Sequence, residues 1–165
     1  MKRALSLLPL CLLAAVPAQA QMVSITPEQI GQIFCIGSLA NDMAPVEALL
    51  TPDLTASLEV ALARNSAIQA ERPDDKPPLG DGLPWRTWPD YADGCTVGAI
   101  SVDAGSASVV IDYSFAQYPQ SDYSNKLMLE PVKVDPRRDP AWRIDDIDLG
   151  EGNTLRTAIV AAFEP

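Results

Sequence analysis

The chain has 165 residues, 12 basic against 22 acidic for a formal net charge of −10, and no histidine. That acidity repels phosphate backbones and anionic lipid, so nucleic acid and a bare membrane surface are poor partners, and solubility is the plain use of the charge. Without histidine the usual Ser-His-Asp and Cys-His forms of catalysis are excluded, as is the commonest transition-metal ligand, which leaves chemistry to carboxylates, Tyr, Lys, Arg or hydroxyls.

At the N-terminus, Lys2 and Arg3 precede a largely apolar run over residues 4–16, followed by Pro17-Ala18-Gln19-Ala20. A basic start, a short apolar core and an Ala-x-Ala ending describe a secretory signal peptide over 1–20, cleaved before Gln21. The run falls short of the ~20 residues that span a bilayer. Cys11 does not read as a lipid-attachment site, because Leu10 precedes it and Leu12 to Val16 continue the apolar core. A soluble periplasmic or secreted protein is expected, with residues 21–165 forming one domain around one core. Cleavage removes two basic residues and no acid, which deepens the net charge to about −12.

Two cysteines remain, Cys35 and Cys95. In an oxidising compartment an even pair reads as one disulfide, and two unpaired buried thiols are the alternative. A catalytic thiol has no histidine to activate it.

Thr26-Pro27-Glu28-Gln29 is a helix start, with Thr as cap, Pro at the first position and Gln29 completing a capping box. Ile30, Ile33, Phe34 and Gly37 follow at helical spacing, predicting a helix to about residue 41. Residues 45–50 suggest a short second helix. Thr51-Pro52-Asp53 repeats the start signal, and Leu54, Leu58, Ala61 and Leu62 give the apolar face of a third helix, reaching about residue 70. Residues 72–94 hold five prolines and the aromatics Trp85, Trp88 and Tyr91. A loop of this length inside a domain is usually functional or disordered. Its aromatics predict an ordered loop, in which they either cap the core or line the mouth of a cavity.

Beyond Cys95 the period turns from helical to alternating. Residues 95–102 form a first strand and Asp103-Ala104-Gly105-Ser106 a turn. Val109, Ile111, Tyr113 and Phe115 then mark the inward face of a second strand, with Asp112 facing away. A third strand spans 125–134 with Leu127 and Leu129 on one face, and Pro131 signals an edge or a bulge. Residues 135–140 turn the chain into a fourth strand at Trp142. There the inward series Trp142, Ile144 resumes at Ile147 and Leu149, an odd step that a bulge at Asp145-Asp146 would restore. Asn153 can cap a last helix with Leu155, Ile159 and Phe163 as its stripe.

The pattern predicts an α+β domain, with N-terminal helices packed on a curved four-stranded antiparallel sheet and a short C-terminal helix. Its closing Trp142-Arg143-Ile144-Asp145-Asp146-Ile147 strand resembles the nuclear transport factor 2-like, or cystatin-like, cone fold. The nearest likeness is to small uncharacterised bacterial secreted or lipoprotein members. Phe34-Cys35, the 80–85 segment Gly-Asp-Gly-Leu-Pro-Trp, and Cys95-Thr96-Val97-Gly98 fit the same group. The resemblance implies the cone over roughly residues 26–163 and little about activity, since this scaffold hosts many functions.

Asp145, Asp146, Asp148 and Asp112 form the best carboxylate cluster. In cone-shaped relatives such as ketosteroid isomerases a cavity carboxylate abstracts a proton, which makes Asp112, Asp145 and Asp146 the catalytic candidates. Asp112 and Tyr113 fall on opposite faces of a strand, however, and adjacent acids at a bulge are commonly solvated or bonded to loop N–H groups and Arg143. The acids lack EF-hand spacing, and no cofactor or metal is expected. Gly80-Asp81-Gly82 has neither the strand nor the Lys-Ser/Thr of a phosphate loop. Trp85, Trp88 and Tyr91 are the binding candidates. A secreted binding or interaction domain without catalysis is expected, of which an inhibitor or immunity-like protein is one version, with a protein or small molecule as partner. The alternative is a carboxylate-dependent isomerase or dehydratase of a small apolar substrate. An enzyme needs an open pocket holding a buried carboxylate, whereas a binding module can fill that space.

Overall fold

The computed structural model describes residues 24–80, 82–88, 90–133, 136–137 and 139–164. The signal segment expected over 1–20, with Cys11, lies outside them, as do Asp81, Pro89 and Val134. Three helices come first: α1 (Pro27–Ala40), the single turn α2 (Ala44–Glu47) and α3 (Pro52–Glu71). Strands β1 (Gly94–Val102), β2 (Ala107–Ser114), β3 (Tyr123–Val132), β4 (Ala141–Gly150) and β5 (Asn153–Thr154) follow, and α4 (Leu155–Ala161) closes the chain. The strands form one open antiparallel sheet in sequence order.

The helix starts follow the local sequence. At α1 the Thr26 hydroxyl accepts from the Gln29 N–H at 3.2 Å, and the Gln29 side chain accepts from the Thr26 N–H at 2.9 Å. These bonds satisfy N–H groups that a helix leaves orphaned at its start. Thr51 caps α3 in the same manner, accepting from the Leu54 N–H at 3.1 Å. α1 ends at Asn41, whose left-handed φ of 52° lets the Asp42 N–H return to the Gly37 carbonyl at 2.9 Å.

Ile30, Phe34, Cys35 and Ser38 make the buried stripe of α1, while Ile33 is only partly covered. The stripe can sit low on the sheet because Gly31 lies against it. A methyl group there would stand 2.8 Å from a Val109 methyl and 3.0 Å from one of Val97. On α3, Leu54, Leu58 and Ala61 are buried, whereas Leu62 is 41% exposed. Leu62 lies about 100° round the helix from Ala61, beyond the narrow face that α3 presents inward.

Val109, Ile111 and Tyr113 of β2 meet Leu127 and Leu129 of β3 and Ile144 and Ile147 of β4 in the core. Met128 pairs with Asp146 and Leu129 with Ile144, so Asp145 is the extra residue of a bulge. One added residue returns Ile147 and Leu149 to the inward face. Pro131 lies past the last β2 pairing, Ala107 with Leu129, where β3 is locally an edge.

Several details differ from the sequence-based expectation: α2 ends at Glu47, short of residue 50, and β2 ends at Ser114, so Phe115 lies just beyond it. The sheet has five strands, not four, because Asn153 and Thr154 turn back to pair with Asp148 and Gly150. Asn153 therefore belongs to β5, and Thr154 caps α4, with the Thr157 hydroxyl accepting from its N–H at 2.7 Å. The third strand starts at Tyr123, two residues before Asn125, and ends at Val132. The helix-to-sheet junction is also tighter than periodicity suggests: Leu50 bridges Ile144 in parallel, with Ile144 N–H on the Leu49 carbonyl and Thr51 N–H on the Ile144 carbonyl, each at 2.9 Å.

Candidate functional site

The proline-rich loop between α3 and β1 is held by hydrogen bonds to α1, α3, β3 and β4. Asn125, buried at an inward position of β3, accepts from the Thr87 N–H at 3.3 Å and donates to the Thr87 hydroxyl. That hydroxyl in turn donates to the Leu149 carbonyl of β4 at 2.5 Å. Arg86 donates to the Ser38 carbonyl of α1 at 3.0 Å. Leu79 anchors the upstream part, where its N–H donates to the Asn65 side chain at 2.9 Å. A loop fixed at so many points presents its side chains in fixed positions.

What it presents is aromatic. Trp85 packs partly against the core, whereas Trp88 is 55% and Tyr91 59% exposed. Of the three binding candidates only Trp85 serves as a core cap. The Trp88 indole N–H donates to Asp90 at 3.0 Å. The Arg86 guanidinium lies 5.3 Å from the centroid of the Tyr91 ring, a cation–π contact.

Between this loop and the C-terminal end of α1 lies a pocket of about 580 Å³. Trp85, Trp88, Tyr91 and Arg86 line it on the loop side, and Ser38 and Asn41 on the helix side. At Ser38 the wall connects to the core, because its hydroxyl hydrogen-bonds the Tyr113 phenol at 2.8 Å. Tyr113 stacks on Tyr123 with centroids 4.8 Å apart. Burial pushes the phenol of Tyr113 well above its ordinary pKa and raises that of Tyr123 as well. Both phenols are therefore neutral at physiological pH, and they lie behind the Ser38 wall, outside the pocket lining.

The carboxylates stand elsewhere. Asp145 accepts from the Thr51 hydroxyl at 2.9 Å and pairs with Arg156 at 2.7 Å. Arg156 also donates through Nε to the Asp145 carbonyl at 2.9 Å and through a terminal nitrogen to the Ser57 hydroxyl at 3.3 Å. Asp146 is buried and accepts from the N–H groups of Ile147 and Arg156, at 2.8 and 3.1 Å. The partner of the bulge acids is thus Arg156, not Arg143, whose guanidinium donates to the Trp142 carbonyl. Sequence distance hid this, because α4 returns over β4 only in the folded chain.

Asp148 pairs with Lys126 at 3.0 Å and accepts from the Gly150 N–H; these bonds, the backbone one foremost, hold its carboxyl below the ordinary range. Asp112 faces away from Tyr113 and accepts from the Ser124 hydroxyl on the neighbouring strand. None of Asp112, Asp145 and Asp146 lines the aromatic pocket, and the structure does not bring Asp112 together with the bulge acids.

Asn125, Ser38 and Arg86 carry the pocket and were not singled out by sequence reasoning. Two of them leave a trace in the sequence. Asn125 is a polar residue in phase with the inward Leu127 and Leu129, and Ser38 falls one turn beyond Phe34 on the buried stripe. A polar group at a core position signals a partner to be satisfied. Comparison with protein-family models, with curated proteins and with solved structures found no match.

Proposed function

We propose that this chain is a binding module whose ligand site is the pocket between α1 and the aromatic loop. The observation that carries this reading is the exposure of Trp88 and Tyr91 on a loop fixed by the buried Asn125. Trp, Tyr and Arg are the residue types that dominate binding hot spots, and the aromatic two bring large contact area at little entropic cost. An ordered loop that holds two large rings in solvent has not used them for its own packing. We place the module outside the cytoplasm, on the N-terminal signal pattern and the Cys35–Cys95 bridge. The layering of helices on an antiparallel sheet is compatible with the nuclear transport factor 2-like cone, which we retain as the family reading.

No observation favours the carboxylate enzyme. Asp145 and Asp146 are occupied in holding α3 and α4, and the inward face of the sheet is filled by Phe34, Ile111 and Leu127.

The test is a nuclear magnetic resonance titration of labelled protein with a chemically diverse fragment set. Hits should move the indole N–H signals of Trp85 and Trp88. Hits that gather instead around Asp112 or Asp146 would return the enzyme reading to the lead.

A further inference from the structure

We infer that the pocket takes a neutral saccharide, an inference that rests on the binding-module reading and narrows it to a ligand class. Four properties of the site select the chemistry.

The first is the pair of exposed flat rings. The Trp88 indole N–H is bonded to Asp90, and one face of Tyr91 is covered by Arg86. A sugar ring has a face of axial C–H groups that packs on an aromatic plane, and it needs such planes pre-oriented.

The second is the charge state of the lining. Lys76 and Arg86 are the charged residues among the described lining side chains, and each is already engaged by the protein itself. Arg86, held by the Ser38 carbonyl and the Tyr91 ring, offers hydrogen-bond donors at a set position, and a guanidinium has five N–H groups to share. The net charge of −10 also disfavours an anionic ligand. A cationic ligand would compete with Arg86 for Tyr91. A neutral ligand avoids both conflicts.

The third is the mixture of polar groups around the rings. Asn41, Ser38, Thr87 and Arg86 border the same space as Trp85 and Trp88. The Ser38 and Thr87 hydroxyls are bonded within the protein, but an apolar ligand would desolvate the Asn41 amide and the Arg86 guanidinium without replacing their water, at a cost that ring hydroxyls avoid. Hydroxyls donate and accept, which suits a lining that holds both an amide and a guanidinium.

The fourth is size. About 580 Å³ lies within the range of ordinary small-molecule sites.

The experiment titrates the purified protein with maltotriose, cellotriose and chitotriose, following tryptophan fluorescence and the indole N–H signals. A proline-rich peptide and a set of aromatic fragments run beside them. At least one trisaccharide should bind saturably and move Trp88. Trp88→Ala and Tyr91→Ala should each weaken it by tenfold or more, with the thermal midpoint unchanged because both rings are exposed. Trp88→Phe, which keeps a flat ring, should recover part of the binding. If the peptide or fragments move the same signals and no saccharide does, the saccharide assignment falls while the binding module stands. If nothing moves Trp85 or Trp88, both fall.

Discussion

The hydroxyl of Ser38 meets the phenol of Tyr113 at 2.8 Å inside the core, across 75 residues of sequence. Tyr113 is the direct sheet partner of Cys95, and Cys95 is bonded to Cys35, one helical turn before Ser38. One turn of α1 is therefore joined to one rung of the sheet twice, by a covalent bond and by a buried hydrogen bond. The next turn of α1 ends at Asn41 in the pocket wall, so the clamp also fixes the helix side of the pocket.

Reduction should expose the covalent half of this clamp. The bridge spans 60 residues, and closing a loop of that length stabilises a fold by about 4 kcal/mol on the chain-entropy model. For a domain of this size that corresponds to a fall of about 10 °C in thermal midpoint. Calorimetry with and without reductant, and on Cys35→Ala/Cys95→Ala, measures it. An unchanged midpoint would mean that the bridge does not form in solution.

The hydrogen-bonded half should appear as a pH dependence. Burial raises the pKa of Tyr113 above the ordinary value of about 10 that it regains on unfolding. Below that value the phenol is protonated in both states and adds no slope. Above it the unfolded chain ionises first, so stability falls as pH rises towards the raised folded value. Thermal midpoints should stay level from pH 8 to about 10 and drop from there to 11.5, and Tyr113→Phe should reduce the drop to the share of Tyr123. The same variant should lose about 1–3 kcal/mol at neutral pH, because the Ser38 hydroxyl is left buried without its partner.

Asp145 should matter to folding. Asp145→Ala or Arg156→Ala breaks a partly buried junction of α3, β4 and α4 and should cost about 1–3 kcal/mol in urea denaturation. Asp112→Asn, on the outer face, should remain within about 0.5 kcal/mol of wild type. The reverse order would indicate that the bulge acids are not the structural junction they form here.

Asn125→Ala should release the loop while leaving the core. Thr87 loses its β3 partner, and the segment around residues 82–88 should become the first site of proteolysis. Trp85 emission should shift to the red as its ring becomes wetter. Loss of the global unfolding transition instead would make Asn125 a core residue more than a loop anchor.

Local chemistry determined much of this protein from sequence alone. Thr26, Thr51 and their following prolines place two helix starts, because capping is decided within four residues. The odd step between Ile144 and Ile147 requires the bulge at Asp145, because side chains alternate with period two in any strand. The expectation of an exported chain with Cys35 and Cys95 suggests one bridge, and the structure forms it. Tertiary structure alone decided which partners the polar residues found. Arg156 and not Arg143 meets Asp145, and Asn125 reaches across to Thr87. It also decided that Trp88 and Tyr91 face solvent while Trp85 turns inward. Such choices depend on elements distant in sequence coming together, and no local period encodes a distance through space.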